Sequence, residues 1–208
     1  MRIFVIGDSI SMQYGPYLEA ALVGVADYSR KTGGIEGTAD LDVPQGANGG
    51  DSSMVLAYLE HLAAGDGLAA DILLVNCGLH DIKRDPASGC MQVPIGDYEA
   101  NLKSIVDVAR RLGVRLVWIR TTPCDEYIHN QRCKAGFLRF GADVAAVNAI
   151  ADRIMRKADV PIIDLHTFTL NLGPDIYCDH VHFHEHVRQR QGAYIAGWLG
   201  GAYTHASQ

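Results

Sequence analysis

A surplus of basic side chains is missing from this sequence. Its 18 lysines and arginines stand against 24 aspartates and glutamates, for a formal net charge of -6. No basic stripe is present to displace counterions, so no nucleic-acid partner is expected. Nor does any stretch approach the roughly 20 apolar residues that cross a bilayer, so no membrane partner is expected. Residues 1–7 read as a core strand, without a charged n-region, apolar h-region and cleavage site, and the cytoplasm is the expected location. The five cysteines (Cys77, Cys90, Cys124, Cys133, Cys178) are odd in number and contain no C-x-x-C pair. That argues against a disulfide framework and a structural zinc site, and suits free thiols. The phosphate-loop pattern G-x-x-x-x-G-K-[ST] is absent and no G-x-G-x-x-G follows a strand, so a nucleotide reading has little support.

What the chain does have is regular alternation of strand-like and helix-like segments. Apolar runs at about 2–7, 25–31, 71–77, 114–119 and 160–165 read as strands. The third of them (Asp71-Ile72-Leu73-Leu74-Val75-Asn76-Cys77) does not alternate, as expected of a strand buried on both faces. Between them lie helical patterns at about 11–22, from Asp51 or Ser52 onward (Val55, Tyr58, Leu59, Leu62), at 97–112, at 142–157 and in a last helix to about Leu199. A polar, poorly periodic loop covers about 124–140, and the tail 203–208 is expected to fray. No linker or repeat divides the chain, so residues 1–208 read as one domain. The fold class is α/β: a five-stranded parallel sheet with helices on both faces, in a flavodoxin-like layout.

In that layout the loops after strands one, two, three and five meet at one sheet edge, where open α/β sheets bind their ligands. They carry Ser9, Gly49 and Gly50, His80 and Asp81, and Asp179 and His182. Asp8 and Ser9 are also good helix caps, so those two residues alone do not distinguish a cap from a nucleophile. A serine hydroxyl attacks only when a base takes its proton, and the base needs a partner that fixes its tautomer. The D-x-x-H spacing of Asp179 and His182 supplies such a base and partner. Backbone N–H groups at Ser9 and Gly50, each at a helix start, suit a developing oxyanion.

With these blocks in view, the chain resembles the SGNH (GDSL-type) hydrolase family nearly from end to end. Gly7-Asp8-Ser9-Ile10 resembles the nucleophile block. Asn48-Gly49-Gly50-Asp51-Ser52 resembles the glycine block, and Asp179-His180-Val181-His182 the last block. The third block departs from the family's G-x-N-D, because Gly78-Leu79-His80-Asp81 carries histidine where asparagine donates to the oxyanion. The resemblance implies a three-layer α/β/α serine hydrolase acting on a carboxylic ester. Ser9 would attack, His182 act as base and Asp179 orient it. Ser9, Gly50 and His80 would hold the oxyanion, with Asp8 and Asp81 in support. An imidazole still offers an N–H for the oxyanion; the competing reading of His80 is a loop side chain facing solvent. No metal and no organic cofactor is implied, and the expected partner is a small-molecule ester.

The resemblance allows acetylesterases, lysophospholipases and thioesterases. Few aromatics stand in the edge loops, while polar residues crowd 124–132 (Asp125, Glu126, Tyr127, His129, Asn130). A small acyl group on a polar or sugar alcohol is therefore the expected substrate. The alternative class is a non-catalytic relative that binds a glycan or acyl group, supported by His80. The run His180, His182, His184, His186 invites a metal reading, against which the last two read as solvated residues opening the final helix. Lys83, Arg84 and Arg120 read as a solvated face that is also placed to receive an acidic or sugar-bearing substrate. Trp118, Trp198 and Cys77 read as core.

Overall fold

The computed structural model describes residues 1–32, 41, 43–132 and 136–203. The first apolar run forms β1 (Arg2–Ile6) and leads directly into α1 (Ser9–Leu22). Then follow β2 (Asp27–Arg30), α2 (Ser52–Ala64), β3 (Ile72–Val75), α3 (Ile95–Arg111) and β4 (Arg115–Ile119). The chain continues through α4 (Glu126–Arg132), α5 (Gly141–Lys157), β5 (Ile162–Ile163), α6 (Leu165–Leu170) and α7 (Glu185–Tyr203).

All strand pairs are parallel, and the sheet order is β2-β1-β3-β4-β5. This is the flavodoxin-like order, whose topological switch point lies between β1 and β3. Ile3 is in register with Ile72 and Ile6 with Val75, so the loops after β1 and β3 leave the sheet side by side. Every residue of β3 is buried, as its unalternating run requires of a strand covered on both faces. One layer of helices joins α1 to α7 and α6 to α7; the other joins α2 to α3 and α3 to α5. The α1–α7 contact is close. A Cβ on Gly192 would stand 2.7 Å from the Leu18 nitrogen and 2.9 Å from the Tyr17 carbonyl carbon. No helix among the described residues is long and apolar enough to cross a membrane.

The structure differs from the sequence reading in several places. The supposed loop 124–140 contains α4, which Asp125 caps by accepting the Ile128 N–H at 2.9 Å. β5 is only two residues long, because Asp164 accepts the Thr167 N–H at 3.0 Å and opens α6 within the expected strand. Asp179 and His182 therefore follow a short helix rather than a strand. Trp118 is fully buried, whereas Trp198 is half-buried at the edge of the core. Cys77, Cys90, Cys124 and Cys178 are free thiols. Cys133, the glycines Gly33, Gly34 and Gly37, and the tail beyond Tyr203 lie outside the described residues.

Candidate active site

The turn between β1 and α1 divides its two polar residues between two tasks. Asp8 caps the helix: its Oδ1 accepts the Ile10 N–H at 3.0 Å, and its carbonyl accepts the Ser11 hydroxyl at 2.7 Å. Ser9 is thereby left out of capping. Its Oγ lies 2.9 Å from His182 Nε2, and His182 Nδ1 lies 2.8 Å from Asp179 Oδ2. An ionised carboxylate only accepts, so Nδ1 carries the proton of a neutral His182 and Nε2 is free to accept from the serine hydroxyl.

The last block is a tight reversal. Tyr177 and Phe183 pair across it, and the Cys178 N–H bonds the His182 carbonyl at 2.9 Å. Inside the reversal Asp179 Oδ1 accepts the N–H groups of Val181 (2.8 Å) and His182 (2.7 Å). Partial burial works against ionisation of Asp179. The His182 ring and the two backbone donors outweigh it and hold the carboxyl well below the usual carboxylate range. His182 itself is buried, with 2% of its surface exposed.

The glycine block is sewn to the nucleophile turn. The Gly49 N–H bonds the Gly7 carbonyl at 2.8 Å. Arg30 donates to the Ser11 carbonyl at 2.9 Å and to the Ala47 carbonyl at 3.1 Å. Gly50 has φ +72°, and a Cβ there would stand 2.9 Å from Pro44 Cβ, so glycine is required. Its N–H, however, donates to Asn48 Oδ1 at 2.9 Å. The expectation that this amide is presented to an oxyanion is not met in this arrangement, because a neighbouring side chain takes the donor first.

The third block lies beside it. Asp81 Oδ1 accepts the Ser52 N–H at 2.9 Å and so fixes the loop to the start of α2. Burial pushes the Asp81 carboxyl up to about 7, against the opposing Ser52 bonds. His80 is 2% exposed, which overturns the solvent-facing reading. Cys77 is buried and its thiol is pushed well up by burial, as befits a core residue rather than a nucleophile.

Other expectations change. Lys83 is buried, its ammonium 4.4 Å from the Phe137 ring centre. Arg84 pairs with Asp143 at 2.7 Å, and Arg120 pairs with Asp164 at 2.8 Å. None of the three is a solvated cation facing substrate. The polar run of α4 is also largely engaged internally: Asn130 exchanges hydrogen bonds with the Arg139 backbone, and Glu126 accepts the Gly141 N–H. His129 is fully buried. Of the histidine run, His184 and His186 stack on each other and His184 faces Asp175, away from the group formed by Asp179, His180 and His182.

Arg139 is the residue the sequence reading missed. It is 1% exposed, donates from Nε to the Leu79 carbonyl at 2.9 Å, and stands 4.9 Å from the Phe137 ring centre. Burial raises the Asp8 carboxyl, and the Arg139 charge acts against that rise. Arg139 thus braces the third block through a hydrogen bond and acts on the nucleophile turn through its charge. The available signal was a lone arginine set among aromatics in Phe137-Leu138-Arg139-Phe140, the setting of a stacked guanidinium.

Ser9, His182 and Asp179 thus place a hydroxyl, an imidazole and a carboxylate in one hydrogen-bonded line at the switch point of a parallel sheet, where such sheets bind ligands. Residues 5–190 match the GDSL-like lipase/acylhydrolase family, and the chain belongs to that family. It is an ester hydrolase of the SGNH type. Among solved structures, the acetyl xylan esterase AlAXEase is similar, with TM-score 0.70 and 11% identity over 96% of this chain and 100% of that one. A lipase/acylhydrolase from Enterococcus faecalis gives TM-score 0.67 and 14% identity over 97% and 96%. Est24, a carbohydrate acetylesterase from Sinorhizobium meliloti, gives TM-score 0.61 and 13% identity over 97% and 99%. Comparison with curated proteins finds no match. At these identities the structural likeness carries the fold.

Proposed function

We propose that Ser9 is the nucleophile of a carboxylic-ester hydrolase that removes a small acyl group, acetyl foremost, from a polar or carbohydrate alcohol. The observation that carries the reading is the 2.9 Å Ser9–His182 contact, continued to Asp179. Ser9 Oγ attacks the acyl carbon while its proton passes to His182 Nε2. Asp179 stabilises the imidazolium that forms. The leaving alcohol then takes that proton, and an ester to Ser9 remains. Water attacks this ester as His182 takes a proton from it, and the acid departs as Ser9 regains its hydrogen. The Ser9 N–H, unused by the first helical turn, and the His80 side chain hold the oxyanion. Gly50 joins them when Asn48 yields its N–H. None of these steps draws on a metal or an organic cofactor.

Two considerations support a small acyl group on a sugar alcohol. The similar structures include an acetyl xylan esterase and a carbohydrate acetylesterase. Tyr127, 69% exposed on α4, offers a flat ring to a sugar face. A fluorophosphonate probe should label the folded protein, and Ser9→Ala should abolish labelling. Folded wild-type protein that resists the probe overturns the nucleophile. A panel of p-nitrophenyl esters, with acetylated xylo-oligosaccharides, tests the acyl group: turnover should fall as the acyl chain lengthens beyond about four carbons. A preference for long chains overturns the acetyl assignment.

A further inference from the structure

We infer that Met54, with Pro44 and Val43, forms the apolar wall on which the substrate's acyl chain lies, and that Met54 sets how long that chain can be. A Cβ on Gly50 would stand 2.5 Å from Met54 Sδ, 3.1 Å from Met54 Cε and 2.9 Å from Pro44 Cβ. The thioether end of Met54 and the Pro44 ring therefore close directly on the Gly50 Cα. The backbone holds Met54 in place: it lies in the first turn of α2, and its N–H donates to Asp51 Oδ1 at 3.0 Å. Met54 is nevertheless 39% exposed, and Val43, beside Pro44 in the chain, is 40% exposed. An apolar surface thus opens to solvent beside the glycine block.

The role of Met54 rests on the hydrolase reading above, in which four groups surround the carbon under attack. They are Ser9 Oγ, the oxyanion, the leaving alkoxy oxygen and the acyl chain. The alkoxy oxygen must come within reach of His182 Nε2, which protonates it. The oxyanion faces the Ser9 N–H. The acyl chain takes the direction that remains. His182 stands just before α7, which packs on α1 in one helix layer, whereas Gly50 and Met54 stand at the start of α2 in the other. The glycine block meets the nucleophile turn directly, through the 2.8 Å bond from the Gly49 N–H to the Gly7 carbonyl. The alcohol therefore leaves on the α7 side, and the acyl chain lies on the α2 side, against Met54.

A methionine at this position suits a short chain. Its unbranched thioether is polarisable and refits around a small apolar group. A longer chain must push Sδ and Cε off Gly50 or stay in water. Truncation to alanine removes Cγ, Sδ and Cε, which opens room for roughly three further carbons. Each methylene that gains a buried place there is worth about fourfold in kcat/KM.

The test holds the leaving group constant and varies the acyl chain. The full chain is assayed on p-nitrophenyl acetate, butyrate and hexanoate as wild type, Met54→Ala and Met54→Phe, each checked by circular dichroism. Met54→Ala should raise the hexanoate-to-acetate ratio of kcat/KM by at least about tenfold. Met54→Phe should lower the butyrate-to-acetate ratio, and it carries the test should the alanine variant fail to fold. Val23→Ala, which trims an exposed apolar side chain at the far end of α1, should leave both ratios within about twofold. A second series keeps the acetyl group and varies the alcohol, p-nitrophenyl acetate against acetylated xylo-oligosaccharides. Met54→Ala should leave that ratio within about threefold. Active wild type whose acyl ratios do not move in the Met54 variants overturns the role of Met54 and leaves the nucleophile standing. An alcohol ratio that moves in place of the acyl ratio overturns it too, because Met54 then lies on the leaving group's side. Wild type that neither takes up a fluorophosphonate nor hydrolyses any ester overturns the hydrolase reading, and the role of Met54 with it.

Discussion

Asp81→Asn should make the protein's stability respond differently to pH, and the size of the change follows from where the carboxyl sits. Asp81 is 1% exposed, and its Oδ2 has no hydrogen-bond partner among the described residues. The folded carboxyl titrates at about 7, against about 3.9 for an unfolded aspartate. A raised carboxyl binds its proton more tightly when folded, so its contribution is greatest below about pH 4 and declines as pH climbs to about 7. From pH 5 to pH 8 the decline spans about two units at 1.4 kcal/mol each, or about 3 kcal/mol. Asparagine keeps the Oδ1 acceptor for the Ser52 N–H and carries no titrating proton. Its amide nitrogen takes the place of the unpartnered oxygen, at a cost that does not vary with pH. Urea denaturation at pH 5, 6, 7 and 8, followed through buried Trp118, measures both proteins. The variant should gain about 3 kcal/mol relative to wild type across that range. A difference that stays constant with pH, or that favours wild type as pH rises, refutes the argument.

Two further substitutions probe the site. His80→Ala should lower kcat by about 10²-fold with KM nearly unchanged, and His80→Asn should recover part of that loss, because an amide also donates to an oxyanion; steady-state kinetics with unchanged kcat in His80→Ala rules out the donor role. Arg139→Met should cost on the order of 2–3 kcal/mol in thermal or urea unfolding, since the Leu79 carbonyl loses a buried donor and Asp8 its nearby cation. A Met variant as stable as wild type removes Arg139 from the framework of the site.

The parts of this protein legible in sequence are those whose signal is local and repeated. β3 announced itself by an unbroken apolar run, and α3 and α5 by helical spacing. Ser9, Asp179 and His182 were identifiable as a set because separate blocks pointed to one sheet edge. What escaped depends on partners far along the chain. α4 and α6 are only 7 and 6 residues long, too short for periodicity to register, and single aspartate caps begin them. Lys83, Arg84 and Arg120 read as solvent-facing because nothing near them in sequence reveals Phe137, Asp143 or Asp164. Gly50 was recognisable as a glycine the turn requires. That its N–H is claimed by Asn48 two positions earlier is a matter of one side-chain torsion, which spacing does not encode.

The contact between Ser9 and His182 spans 173 positions of sequence. At translation rates of about 5–20 residues per second, His182 is made roughly 9–35 s after Ser9. During that interval the serine is an ordinary alcohol. It gains its partner only when α7 docks on α1, where Gly192 allows the two backbones to close. Such a long-range closure is among the slower and later events of folding. The appearance of esterase activity in a refolding experiment therefore times the meeting of the first and last helices, and a chain that has formed its sheet but not that contact is chemically silent.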